Sequence, residues 1–244
     1  MCARPRFHDV LTHVRITRPD ILDPIAAIDE RRLIVGGVIV TNPTTLVRSD
    51  APVSLRTGGP LAGQRKLDAA LAAFALDVRG VTCVDLGAAA GGFTRSLLDH
   101  GAGLVYAIDV GFGQLTGSLR ADPRVVALER TNLADAAAHI PMAARIDVLT
   151  ADLSFISLSR ALPQVTGLPY ACGATLVALV KPQFELGLDR PPVGRRDLDR
   201  AFVVACAGAL EAGWLPGAGM RSPIRGGRGS EEYFLLARRR PGGG

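Results

Sequence analysis

Five short, mostly apolar runs punctuate the middle of the chain: 81–86 (VTCVDL), 104–109 (LVYAID), 124–128 (RVVAL), 146–151 (IDVLTA) and 174–180 (ATLVALV). Runs of this length without polar alternation predict strands buried on both faces. The stretches between them, such as FTRSLLDHG, GQLTGSLRAD and SLSRALPQV, have helix-compatible composition. Strands alternating with helices imply crossover connections and a parallel sheet, hence a doubly wound α/β domain. A helix is predicted over 66–76 (KLDAALAAFAL) at the start of this domain. Another is predicted over 197–212, opened by Asp197 as a cap. WLPGAGMRSPI and EEYFLLARR are expected to pair antiparallel across RGGRG.

Before residue 60 the pattern changes. Residues 20–33 (DILDPIAAIDERRL) predict one helix, and the segment from Val35 to Leu55 predicts short strands with turns at Gly36-Gly37 and Asn42-Pro43. The expected organisation is a small unit over 1–55, a linker over 56–65 and a main domain over 66–240.

Composition adds modest constraints. Of 244 residues 48% are apolar and 21% charged, and no apolar run reaches the length of a membrane span. The start of the chain lacks the apolar core of a secretion signal, so the cytoplasm is the expected compartment and no membrane partner is expected. The four cysteines have no CxxC spacing, and the four histidines are scattered, so neither zinc nor disulfides are indicated and no metal site is assigned. Lys plus Arg exceed Asp plus Glu by 28 to 23, with arginine clusters at 31–32, 195–196 and 238–240. That balance is compatible with a polyanionic partner.

Candidate chemistry begins at VDLGAAAGGFTRSLL, where a strand ends in residues stripped of side chains before a helix starts. Such a turn lets a ligand lie against backbone N–H groups and the positive end of the helix. Gly87, Ala89 and Gly92 spell GxAxxG rather than the dinucleotide fingerprint GxGxxG, which disfavours NAD and FAD. S-adenosylmethionine sites use a comparable turn with an acidic side chain at the end of the next strand. Asp109 stands there, 22 residues after Gly87. The expected cofactor-binding residues are Asp85, Gly87, Ala88, Gly91, Gly92, Phe93, Thr94, Asp109, Val110, Asn132 and Asp152, with Phe93 equally suited to the core.

In order along the chain, GGFT, IDVGFGQL, ERTN, LSFISL, VKPQFE and RGGRGSEEYFLL resemble the TlyA (hemolysin A) family of FtsJ-type RNA ribose methyltransferases. The resemblance spans residues 60–238 and implies a Rossmann-like methyltransferase fold: a seven-stranded, mostly parallel sheet with an antiparallel terminal hairpin. It implies S-adenosylmethionine as cofactor and 2′-O-methylation of ribosomal RNA, with ribosomal RNA or a ribosomal subunit as partner. RFHDVL and GGVIVTNPTTLV match, more loosely, the small RNA-binding module that precedes the catalytic domain in that family, in degenerate form.

The resemblance also implies a Lys-Asp-Lys-Glu group around the target ribose, carried here by Lys66, Asp152, Lys181 and Glu232. Arg65 competes with Lys66 for its role, and Glu231 with Glu232. A ribose hydroxyl is a poor nucleophile at neutral pH, and Lys181 is the candidate for removing its proton or stabilising its loss. Desolvation and the Lys66 ammonium favour a neutral lysine, while Asp152 and Glu232 oppose it. In-line positioning supplies much of the remaining acceleration. Two departures from the family pattern stand out. LDRPPVGRRDLDRAF replaces a basic, glycine-rich loop, and residues 19–30 carry four acids and no base where the family has an RNA-gripping helix. These departures motivate an alternative acceptor: a small molecule, a nucleoside natural product or a peptide.

Overall fold

The computed structural model describes residues 6–29, 32–55, 61–192, 194–226 and 229–241. Its contacts divide the chain into two compact units, one reaching residue 61 and including 116–118, the other comprising 62–115 and everything from 119 onward.

The first unit contains β1 (Phe7–Asp9), α1 (Val10–Thr17), α2 (Pro24–Asp29), β2 (Leu33–Val35), β3 (Val38–Ile39), β4 (Leu46–Arg48) and β5 (Val53–Leu55). Strands β1 and β4 pair antiparallel, and β3-β2-β5 form a second small antiparallel sheet. Gly36 and Gly37 join β2 to β3 at φ of 60° and 81°, the double left-handed turn that suits a two-residue hairpin. Val10, Val14, Ile21, Ile28, Leu33 and Val35 form the core.

The helix expected over 20–33 is shorter than its sequence suggests. The Asp23 carboxylate accepts the Ala26 N–H at 2.9 Å, Pro24 opens α2, and Leu33 already belongs to a strand. A proline tolerated only at a helix start sets the boundary, and burial of Leu33 and Val35 on β2 outweighs the helical composition of the segment. Residues 30 and 31 lie outside the described ones. Asp9 caps α1 by accepting the Thr12 N–H at 2.9 Å, a helix not anticipated from composition.

The second unit begins with α3 (Ala62–Ala73), so 62–65, expected as linker, are helical; 56–60 lie outside the described residues. There follow β6 (Thr82–Leu86), α4 (Gly92–Asp99), β7 (Leu104–Asp109), α5 (Gly117–Arg120, of which 117 and 118 are counted with the first unit), β8 (Val125–Glu129), α6 (Ala136–His139), β9 (Ile146–Ala151), α7 (Leu158–Ala161), β10 (Tyr170–Val180), α8 (Pro182–Glu185), α9 (Arg195–Glu211), β11 (Trp214–Arg221) and β12 (Tyr233–Arg239). The seven strands β6–β12 form one sheet in the order β11-β12-β10-β9-β6-β7-β8. Strands β10, β9, β6, β7 and β8 run parallel, while β12 is antiparallel to β10 and β11 to β12. The expected terminal hairpin is therefore present.

Alternate residues of each central strand feed opposite cores, which is why the runs lack polar alternation. Cys83, Val105, Val148 and Val177 pack with Leu67 of α3 and Leu97 of α4. Val84, Tyr106, Leu149 and Leu176 pack with Leu158 of α7 and Ala205 of α9. Burial pushes the Cys83 thiol far above its usual range, as befits a core residue. Asp197 lies inside the first turn of α9, whose cap is Gly194. Among the described residues no helix is long and apolar enough to cross a membrane.

Candidate active site

The carboxyl ends of β6, β9 and β10 lie side by side: Leu86 neighbours Ala151, and Ala151 neighbours Ala178. Chain direction after β6 and β9 diverges here, the place where open α/β sheets bind ligands. β12 enters the same edge from the opposite direction, with Tyr233 facing Val180. Residues just beyond these ends, Gly87, Asp152, Lys181 and Glu232, therefore converge although they are widely separated in sequence.

The bare turn after β6 serves two purposes. Gly87 has φ of 78°, and a Cβ there would stand 2.7 Å from the Asp152 carbonyl oxygen, so only glycine lets the two loops touch. The Gly87 and Ala88 N–H groups both donate to the Ile108 carbonyl at 2.9 and 3.1 Å. Gly92 instead packs on α3, where a Cβ would stand 3.0 Å from the Gly63 Cα and the Gln64 nitrogen. The glycine there is demanded by helix contact.

A cleft of about 570 Å³ opens beside this turn, within the size range of small-molecule sites. Of the residues expected to bind cofactor, Gly87, Asp109, Val110, Asn132 and Asp152 line it. The Asp109 carboxylate accepts the Ala89 N–H at 2.8 Å through one oxygen and the Gly111 N–H at 2.7 Å through the other. Those bonds fix the acid at the mouth of two loops, and each oxygen retains a lone pair for a diol. Ile108, Val110, Leu133 and Ile156 add apolar wall.

The remaining expected residues have other duties. Asp85 is wholly buried, accepting the Thr94 hydroxyl at 2.7 Å and the Thr150 hydroxyl at 2.9 Å, so it bolts α4 to the sheet rather than facing the cleft. Burial raises its pKa to about 6 against the pull of those hydroxyls. Thr94 is committed to that bond. Phe93 is a core residue, its ring centroid 6.0 Å from that of Phe234, and Ala88 is also buried in that core. Gly91, at φ of 92°, precedes α4 and abuts Leu119 and Leu115.

Lys66, Asp152, Lys181 and Glu232 form two ion pairs. Lys181 Nζ stands 2.7 Å from Asp152 Oδ1 at an angle outside hydrogen-bond geometry, and its directed bond goes to Ser154 Oγ at 3.0 Å. This pair is partly open to solvent, at 15% and 24% side-chain exposure. Lys66 Nζ meets Glu232 Oε2 at 2.5 Å with 8% and 3% exposure, a nearly dry pair. The structure also separates the competing neighbours. Arg65 is exposed, and Glu231 is taken by Arg221 at 2.6 Å and Arg225 at 3.3 Å.

Sequence reasoning passed over Ser154 and Phe155, which lie within the LSFISL block and line the cleft. It also passed over a compositional signal. Lys66 and Lys181 are the chain's only lysines; every other basic residue in the total of 28 is arginine. Arginine holds its proton at any working pH, whereas lysine can release one, so the two side chains differ in chemistry from every other base in the chain.

The family model described as FtsJ-like methyltransferase matches residues 63–239. The chain belongs to the FtsJ-like methyltransferase family. Among curated relatives, the 16S/23S rRNA (cytidine-2′-O)-methyltransferase TlyA of Mycobacterium tuberculosis is 42% identical over 213 residues, covering 84% of this chain and 79% of that protein. A Streptococcus thermophilus structure provisionally described as a hemolysin is 29% identical with a TM-score of 0.71, covering 98% of this chain and 90% of that one. An S-adenosylmethionine dependent methyltransferase from Mesorhizobium loti shares the fold alone, at 16% identity and a TM-score of 0.51 over 70% of this chain and 96% of that one. The FtsJ-like match covers the entire second unit except its first residue and its tail.

Proposed function

We propose that this FtsJ-like methyltransferase transfers a methyl group from S-adenosylmethionine to a cytidine ribose 2′-hydroxyl of ribosomal RNA. The observation that carries the reading is the placement of Lys181, one of two lysines in the chain, against Asp152 at the rim of the Asp109 cleft. The 42% identity to a TlyA rRNA methyltransferase supports the same acceptor.

The cleft suits the cofactor on its own features: apolar wall for a base, a fixed carboxylate for a ribose diol, and a turn kept open by Gly87. Asp109, Val110 and Asn132 would hold the nucleoside part, with Gly87 and Asp152 at the other end. When bound, the sulfonium supplies an activated methyl group.

The chain's own residues then handle the acceptor. Lys181 Nζ orients the 2′-hydroxyl and, in its neutral form, takes up the proton that leaves it or, as the ammonium, offsets the negative charge left on oxygen. Asp152 and Ser154 hold Nζ in place, so little reorganisation accompanies the reaction. The Lys66–Glu232 pair ties α3 to the residue just before β12. In the same reading residues 1–55 are a reduced RNA-docking module and 66–240 the catalytic domain. The test is transfer of label from S-adenosylmethionine into purified ribosomal subunits, followed by nuclease mapping. Label on a cytidine ribose is expected; label confined to bases, proteins or small metabolites overturns the reading.

A further inference from the structure

We propose that Glu185 is a positioning residue of the methyl-transfer site, pinning the loop that carries Asp152 and Ser154 to the turn that carries Lys181. The inference rests on the roles given above to Lys181 and Asp152. These groups arrive on separate connections, 152–157 between β9 and α7 and the turn from β10 into α8. Glu185 is the last residue of α8, and its Oε1 accepts the N–H of Leu158, the first residue of α7, at 2.7 Å across 27 positions of sequence.

Three features make this bond a latch. First, Glu185 is referenced directly to Lys181, because the Lys181 carbonyl accepts the Phe184 and Glu185 N–H groups at 3.0 and 3.2 Å. Second, α7 and α8 have four residues each, too short to hold their own shape, so a cross-link sets their register. Third, the linked loop is strained: Phe155 sits at φ of 73°, and such a residue stays there only where its surroundings over-determine it. Phe155 itself is 93% exposed, and its ring meets that of Phe184 in α8 at 6.0 Å between centroids, a solvent-facing contact that accompanies the buried Glu185 bond. On the far side, α9 leaves no room, since Gly208 lies so close to Ser159 that a Cβ would collide.

The carboxylate is held there against its preference for water. Burial raises its pKa to about 7, opposed by the Leu158 and Ser159 backbone N–H groups, and Oε2 is buried without a partner among the described residues. VKPQFE and LSFISL are thus two halves of one device, joined through the four-residue spacing from Lys181 to Glu185.

Glu185→Ala, Glu185→Gln and Glu185→Asp in the full chain test this. Hydrogen exchange at the Leu158 amide reads the latch without activity, calorimetry reads S-adenosylmethionine affinity, and labelled transfer to ribosomal subunits reads kcat and KM. In Glu185→Ala, Leu158 exchange should accelerate at least about tenfold and kcat should fall about a hundredfold, the scale of a reacting group displaced by about 1 Å. Cofactor affinity should stay within about threefold. Glu185→Gln keeps an oxygen acceptor and should stay near the parent in exchange and kcat. Glu185→Asp retains the charge but lacks the reach, so it should resemble Ala and serves in its place if Ala does not fold. Unchanged Leu158 exchange, an unchanged kcat, parallel loss of cofactor binding, or a Gln variant as impaired as Ala would each overturn the proposal. If the unsubstituted chain methylates no ribosomal subunit, the functional reading falls, and exchange alone decides the latch.

Discussion

Replacing Lys66 by Met removes one half of a nearly dry ion pair while keeping the length and apolar stem of the side chain. At 2.5 Å the two charges attract by about 7 kcal/mol if the local dielectric constant is about 20. Most of that attraction offsets the cost of taking both groups out of water, so the pair adds little net stability. Orphaning Glu232 is another matter. Its carboxylate is 3% exposed and, among the described residues, its one further hydrogen bond comes from Ser230 Oγ at 3.5 Å, so the buried charge would be left almost bare. The expected loss is about 3–5 kcal/mol, a large share of the roughly 5–15 kcal/mol that holds a domain together. Trp214, the chain's one tryptophan, is fully buried in the second unit and reports its unfolding by fluorescence. With a urea slope of about 2–3 kcal/mol/M, the midpoint should fall by roughly 1–2.5 M in the absence of cofactor. The double variant Lys66→Met/Glu232→Leu should recover most of that loss, because no charge remains unpaired. A single variant that loses less than about 1 kcal/mol, or a double variant no more stable than the single, refutes the reasoning. If the double variant is stable yet transfers no methyl, the pair serves the reaction as well as the fold.

Three further outcomes follow from the site. Lys181→Arg keeps the charge beside Asp152 but cannot give up a proton, so kcat should fall at least about a hundredfold with cofactor affinity within about threefold, by labelled transfer and calorimetry; full activity would show that charge alone suffices. Asp109→Ala should weaken S-adenosylmethionine about tenfold to a hundredfold in calorimetry, the worth of a charge-assisted hydrogen bond. Asp85 binds its proton more tightly folded than unfolded, with a folded pKa of about 6 against 3.8, so its contribution to stability is full below about pH 4 and lost as pH rises through about 6, by roughly 3 kcal/mol. Asp85→Asn should flatten stability against pH across that window, and identical slopes for parent and variant would contradict the buried state described.

The central strands β6, β7, β9 and β10 were legible because each is apolar on both faces, a pattern that burial inside a sheet covered on two sides requires. The helix over 20–33 was misjudged for a converse reason. Its composition suits a helix, but Pro24 sets where one can begin, and Leu33 gains more by entering β2. Lys66, Asp152, Lys181 and Glu232 were singled out from the family order of motifs, and the structure joins them two by two. Asp85 and Thr94 were assigned to cofactor because they flank the turn, yet they bond each other inside the core. Nothing local distinguishes an acid that points outward from one that points inward.

By itself the sequence determined the alternation of strands and helices, the Gly87 turn and the identity of the four charged side chains, since periodicity, backbone freedom and residue chemistry are properties of short stretches. Only the tertiary structure decided that those four charges divide into an open pair and a dry one. It alone placed Glu231 with two arginines rather than with Lys66, and brought Glu185 across to Leu158. Pairing depends on which strand ends lie side by side, and the order of strands in a sheet differs from their order in the chain.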